Sequence, residues 1–138
     1  MKTEKDTPKI EDVTDDEIRN IIQTAMDTKM PEIRLMPYLG EEQEVTYDYP
    51  ELVACCPMTG ILDLYRVNIK YTPNNHIPEL KSLKFYFLGY KNMRIGHEHL
   101  CSKITTDFRE AVHPKSLEVN LDVAVRGGIK TDIKNESK

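Results

Sequence analysis

Apolar and polar positions along the chain change period several times, and the changes mark the elements. Ile18, Ile21, Ile22, Ala25 and Met26 recur at helical spacing behind Thr14-Asp15-Asp16-Glu17. That tetrad is a capping box, with Thr at the N-cap, Glu at the third helical position and negative charge in the first turn. Pro31 and Pro37 close the pattern, which predicts an amphipathic helix of three to four turns. Residues 1–12 before it are polar and expected to fray. From residue 44 the period falls to two. Val45, Tyr47 and Tyr49 alternate with Thr46 and Asp48, and after Pro57-Met58-Thr59-Gly60 the alternation resumes through Tyr65, Val67, Ile69 and Tyr71. These are two strands, closed by Thr72-Pro73-Asn74-Asn75.

The run from Glu79 to Asn92 fits both periods. Leu80, Leu83, Phe87 and Tyr90 suit a helix, whereas Leu83, Phe85 and Phe87 suit a strand, and so short a run is not settled by periodicity. Beyond Gly96, Leu100, Ile104, Phe108 and Ala111 describe a helix that stops before Pro114. Leu117 to Val125 alternate as a third strand. Arg126-Gly127-Gly128 turns the chain, and Ile129, Thr131 and Ile133 return it. With the ambiguous run helical, residues 44–133 read β-β-α-α-β-β, an α+β domain with helices on one face of an antiparallel sheet. Residues 1–43 form an extension and residues 134–138 a loose polar tail. A four-stranded sheet has two open edges, which predicts pairing with neighbouring subunits.

Composition narrows the class. With 138 residues the chain has enough length for one core. No apolar stretch is long enough to span a membrane, and the charged start leads into no secretory h-region. Three cysteines, two of them adjacent, make no fully paired framework, so the cytoplasm is the expected compartment. The net charge of −4 hides −7 over residues 1–50 and +3 over residues 51–138. The acidic half argues against a nucleic-acid-binding arm, while the mildly basic half suits a small anionic ligand.

Several residues carry chemistry. Cys56 stands between Cys55 and Pro57 in a loop between two strands. It reads either as a small buried apolar side chain, the commoner case for such a cysteine, or as a nucleophile, and the turn behind it, with Thr59 and Gly60, narrows the gap between the two. Asp63 opens the next strand, where a hairpin can bring its carboxyl near the thiol; the plainer reading is a turn residue. Glu79 is either a ligand or a solvated charge. His97-Glu98-His99 with Cys101 invites a metal reading, but the spacing matches no standard zinc pattern, so no metal is expected. Glu98 suits the N–H edge of a flat heterocycle. There is no G-x-G-x-x-G and no G-K-[ST], so a nicotinamide cofactor would not be held by a Rossmann or P-loop motif.

Together, Cys56-Pro57-Met58-Thr59-Gly60 with Asp63, Glu79-Leu80-Lys81-Ser82-Leu83-Lys84-Phe85-Tyr86, and His97-Glu98 resemble the NADPH-dependent 7-cyano-7-deazaguanine reductases of queuosine biosynthesis, in their short single-module form. Arg126-Gly127-Gly128 also fits, and the likeness covers about residues 44–133. It implies a tunnelling fold with Glu79–Asn92 helical. It further implies pentameric barrels stacked into a decamer, with active sites at subunit interfaces and no direct nucleic-acid or membrane partner. The implied chemistry begins with Cys56 attacking the nitrile carbon to form a thioimide, a better hydride acceptor. Asp63 supplies a proton. One NADPH reduces the thioimide, the imine leaves the sulfur, and a second NADPH gives the primary amine. Pro78, Glu79, Leu80, His97 and Glu98 would bind the deazapurine, and Lys81, Ser82 and Lys84 the cofactor. Met58 departs from the family, where a basic residue is common, and Cys55 matches no role.

The same fold accommodates an amidine-forming enzyme, which lacks the Lys-Ser-Leu-Lys stretch, a zinc-dependent cyclohydrolase, and a silent purine- or pterin-binding protein. Oxidation adds a further expectation. If the helix that opens at His97 borders the thiol, Cys101 comes near Cys56 and mild oxidation links the two.

Overall fold

A computed structural model describes residues 13–137. The frayed segment expected over residues 1–12, and Lys138, lie outside the described residues. The order is α1 (Asp15–Asp27), β1 (Leu35–Pro37), β2 (Val45–Cys55), β3 (Leu62–Thr72), β4 (His76–Pro78), α2 (Leu80–Leu88), α3 (His97–Val112), β5 (Ser116–Arg126) and β6 (Ile129–Ser137). The four long strands form one antiparallel sheet in the order β2-β3-β5-β6. With α2 and α3 between its two hairpins, this is the expected β-β-α-α-β-β arrangement. The run that fitted both periods is a helix over Leu80–Leu88, because Glu79 caps it and Ser82, Leu83, Tyr86 and Phe87 turn one face inward; residues 89–92, expected to continue it, are turns from the Gly89 cap onward.

One face of the sheet carries the core. Tyr65, Val67, Ile69 and Tyr71 of β3, with Leu117, Val119, Leu121 and Val123 of β5, meet Leu100, Ile104, Phe108 and Val112 of α3. Tyr71 packs edge-on against Phe108, and Tyr49 stacks on Phe87. The opposite face is ionic: Asp48 pairs with Arg66, and Lys130 with Asp122 and Asp132.

Three further features depart from the sequence pattern. The strand from Val45 continues to Cys55 through a register shift between Tyr49 and Leu52. Pro50 sits in that shift, where its missing N–H leaves no ladder bond unmade. The extra residue turns Leu52 and Ala54 to the core, in place of Glu51 and Val53. A second, two-stranded sheet pairs β1 with β4, each too short to show a period. The last strand runs to Ser137 instead of ending at Ile133, so residues 134–137 are no loose tail. Lys134 bridges Glu118 and Glu136 at 2.9 Å each, and those hydrogen bonds raise its pKa. Thr14 does cap α1, accepting from the Glu17 N–H at 3.2 Å. The helix is tied to the domain by Lys103, which is buried and donates from Nζ to the carbonyls of Met26 and Thr28 at 2.8 and 3.0 Å. No helix among the described residues is long and apolar enough to cross a membrane.

Candidate active site

The Cys56 loop is held on two sides. Its own backbone closes a turn, with the Cys56 N–H donating to the Ile61 carbonyl and the Gly60 N–H to the Cys56 carbonyl, both at 2.8 Å. Gly60 has φ of 73°, a conformation that favours glycine, and a Cβ there would come within 3.2 Å of the Arg94 guanidinium. On the other side the Cys55 N–H donates to the Met93 carbonyl at 2.9 Å, and the Ile95 N–H to the Cys55 carbonyl at 3.0 Å. This clamp sets the start of α3, two residues beyond Ile95, beside the Cys56 loop. His97 and Glu98 occupy its first turn, behind Gly96 as an N-cap without a side-chain bond.

Asp63 lies on the core face of β3 and is 4% exposed. Its carboxylate pairs with Arg126, whose guanidinium also donates to the Leu62 carbonyl at 2.9 Å. Arg126 is held there by the two-residue turn Gly127-Gly128, both residues at positive φ, which brings β6 straight back alongside β5. Two residues after Asp63 and on the same face, Tyr65 is 3% exposed, and its hydroxyl lies 2.8 Å from Nδ1 of His97. Burial pushes the Tyr65 pKa well up, and the electrostatic influence of Asp63, Cys56 and Glu98 acts the same way while Arg126 opposes it. The structure thus brings Cys56, Asp63, His97 and Glu98 together around one tyrosine. Tyr65 itself was legible only as a core residue. Its signal was the period of two that puts it on the face of Asp63.

The rest of the expected site lies elsewhere in the chain. Pro78 ends β4, buried and paired with Leu35. Glu79 caps α2, its Oε2 accepting from the Ser82 N–H at 2.6 Å. Ser82 faces inward: its hydroxyl donates to the Glu79 carbonyl at 2.7 Å and accepts from the Arg34 N–H at 2.8 Å. Those bonds tie Arg34, the residue before β1, to the start of α2, and Lys81 and Lys84 are the residues of that stretch left exposed, with Leu80 beside them. Arg34, Lys81, Ser82 and Phe85 line a groove of about 430 Å³ with Glu32 and Glu79. The cations there fit the phosphates of a dinucleotide, and the exposed Phe85 a flat base. This group stands at the N-terminus of α2, while the Cys56 clamp lies past its C-terminus. Nine helical residues span roughly 14 Å, and along the chain α2 stands between the two groups.

Cys101 is not near Cys56. It is buried against the sheet with its sulfur 3.9 Å from the Val119 carbonyl, and burial raises its thiol pKa. Val119 pairs with Ile69, and Cys55 with Leu62, seven residues away along β3. That is roughly 23 Å of strand, several times the Cα separation a disulfide spans. The bridge expected from the sequence is therefore excluded. Among the described residues no three His, Cys, Asp or Glu side chains converge as a metal site.

A family model for QueF-like proteins matches residues 63–138. The chain is 35% identical over 98 residues to the NADPH-dependent 7-cyano-7-deazaguanine reductase of Prochlorococcus marinus (strain NATL2A), covering 71% of this chain and 70% of that protein. It is 39% identical over 96 residues to the enzyme of the same name from Chloroherpeton thalassium, covering 70% of this chain and 83% of that one. Among solved structures, the archaeosine synthase QueF-Like in its apo form superposes with a TM-score of 0.62 at 19% identity, over 72% of this chain and 96% of that one. At that identity the likeness speaks for the tunnelling fold alone.

Proposed function

Because this chain belongs to the QueF-like protein family, we propose that it reduces the nitrile of 7-cyano-7-deazaguanine to the primary amine, with NADPH as reductant. The observation that carries this reading is the gathering of Cys56, Asp63, His97 and Glu98 at one end of the sheet.

The Cys56 sulfur attacks the nitrile carbon; a C–S bond forms, one C–N π bond breaks, and the nitrogen takes a proton. Asp63 is the proton carrier: its carboxylate, paired with Arg126, takes the thiol proton and passes it to the nitrogen, and Arg126 holds the carboxylate in place again once the proton is delivered. When bound, NADPH would supply hydride to the activated carbon at two stages, each matched by a proton from solvent: at the thioimide, and at the imine left when the C–S bond breaks and the sulfur regains its proton. Lys81 and Arg34, which line the groove, would hold its phosphates, with Lys84 exposed one turn further along α2. Glu98 and Glu79 accept hydrogen bonds from the ring N–H and amino groups, and a heterocycle with the opposite edge would leave a carboxylate unpaired.

The separation of the two residue groups along α2 supports a site shared between copies, in which the α2 start of one subunit faces the Cys56 loop of the next. The outer edge of β2 away from Cys55 and that of β6, which pair with no other strand among the described residues, suit such a ring, with pentamers stacked as a decamer.

The test is NADPH oxidation with and without the nitrile, together with the mass of the protein–nitrile adduct. Nitrile-dependent oxidation with two NADPH consumed per amine formed is the expected result. Adduct formation without NADPH consumption would instead indicate transfer of an amine to the thioimide, and no adduct at all would remove Cys56 as nucleophile.

A further inference from the structure

The Tyr65–His97 contact decides which hydrogen bond the imidazole offers. Tyr65 is 3% exposed and its hydroxyl has one hydrogen-bond partner among the described residues, Nδ1 of His97 at 2.8 Å. A buried hydroxyl must place its own proton. If Tyr65 accepted a proton from Nδ1–H, its O–H would be left without an acceptor in a buried position. Its pKa, raised by burial and by its electrostatic surroundings, keeps that proton on the oxygen. Donation from Tyr65 to Nδ1 satisfies the hydroxyl, and the ring proton then sits on Nε2. The ring is also fixed in orientation, since its centroid lies 5.4 Å from that of Tyr65 in an edge-on arrangement.

We propose that Tyr65 is a positioning residue that holds neutral His97 as its Nε2–H tautomer, so that the imidazole presents a donor to the ligand. The inference deepens the reading above. Glu98 and Glu79 accept, and they select ring N–H groups; an Nε2–H donor beside them selects a carbonyl oxygen. A ring with a carbonyl next to an N–H, as in guanine-type bases, matches both. A 6-amino ring would meet donor against donor at His97. The opposite tautomer would present a bare nitrogen and reverse that preference.

Nitrogen NMR of full-length protein labelled with ¹⁵N-histidine tests this, with the His97 signal assigned by its loss in His97→Asn. In the wild type at mildly alkaline pH, Nε2 is expected to carry the proton and Nδ1 to be bare. Tyr65→Phe keeps the ring and removes the hydroxyl, and should yield a mixture of tautomers. In turnover the same variant should raise KM for the nitrile about 2- to 10-fold, the worth of one hydrogen bond, with kcat within about twofold. A wild-type His97 protonated on Nδ1 overturns the proposal. So does a Tyr65→Phe protein with an unchanged tautomer, or one with a shifted tautomer and an unchanged KM. The NMR arm needs no substrate, so it stands or falls apart from the nitrile reductase reading. Should Tyr65→Phe fail to fold, the wild-type tautomer alone decides.

Discussion

At the scale of single residues, the two neighbouring cysteines are separated by their surroundings. Cys56 belongs to the closed turn beside Asp63, whereas the Cys55 thiol points to the Lys91 carbonyl at 3.5 Å. Cys56→Ala is therefore expected to abolish both adduct and turnover, and Cys55→Ala to keep most of each; mass spectrometry of the nitrile adduct reads the difference. Asp63→Asn keeps the shape but neither pairs with Arg126 nor donates an acidic proton. Turnover should fall roughly a hundred- to ten-thousand-fold with nitrile binding far less affected. Single-turnover kinetics check this, and a variant with normal rates would take Asp63 out of the chemistry. Oxidation should leave Cys101 reduced in peptide maps, since its thiol is buried against β5 with its pKa raised.

At the scale of elements, α1 depends on one buried cation. Lys103 holds two carbonyls at the helix end, and the attachment combines hydrogen bonds to a charged group with the favourable placement of a cation at a C-terminus. Lys103→Met keeps most of the side-chain volume and removes the charge. Some desolvation cost returns with it, so the net loss should be about 1–2 kcal/mol. Urea denaturation measures the total. Amide exchange should show α1 opening first, with the four-stranded sheet as protected as before.

At the scale of the whole molecule, the separation of Glu79 from Cys56 makes an intersubunit site testable by complementation. Cys56→Ala and Glu79→Gln each remove one half of a shared site. Mixed after dissociation and reassembly, they should regain activity, to about a quarter of wild type if subunits combine at random around a ring. If both variants are inactive alone and remain so in proven mixed oligomers, the halves belong to one subunit. Light scattering should show a mass several-fold above 16.0 kDa.

What the sequence by itself determined was whatever is encoded by neighbours. Alternation set β2, β3 and β5, the Thr14 capping box opened α1, helical spacing opened α3 after Gly96, and Gly127-Gly128 turned β5 into β6. Those signals are local because the backbone conformation of a few consecutive residues produces them. Cys56, Asp63, His97 and Glu98 stood out by type and order, and the structure puts them at one end of the sheet. The tertiary structure decided what depends on register and packing between distant residues. The shift at Pro50 chose which side chains of β2 enter the core. Backbone pairing with residues 117–120 of β5 extended β6 through residues read as a tail, with Lys134 bridging Glu118 and Glu136 across it. Packing turned Ser82 inward and set Cys101 seven strand positions from the thiol it was expected to reach. Tyr65 found His97 only because β3 and α3 cross there. The distance between two side chains 32 residues apart is set by the packing of whole elements, and no spacing along the chain records it.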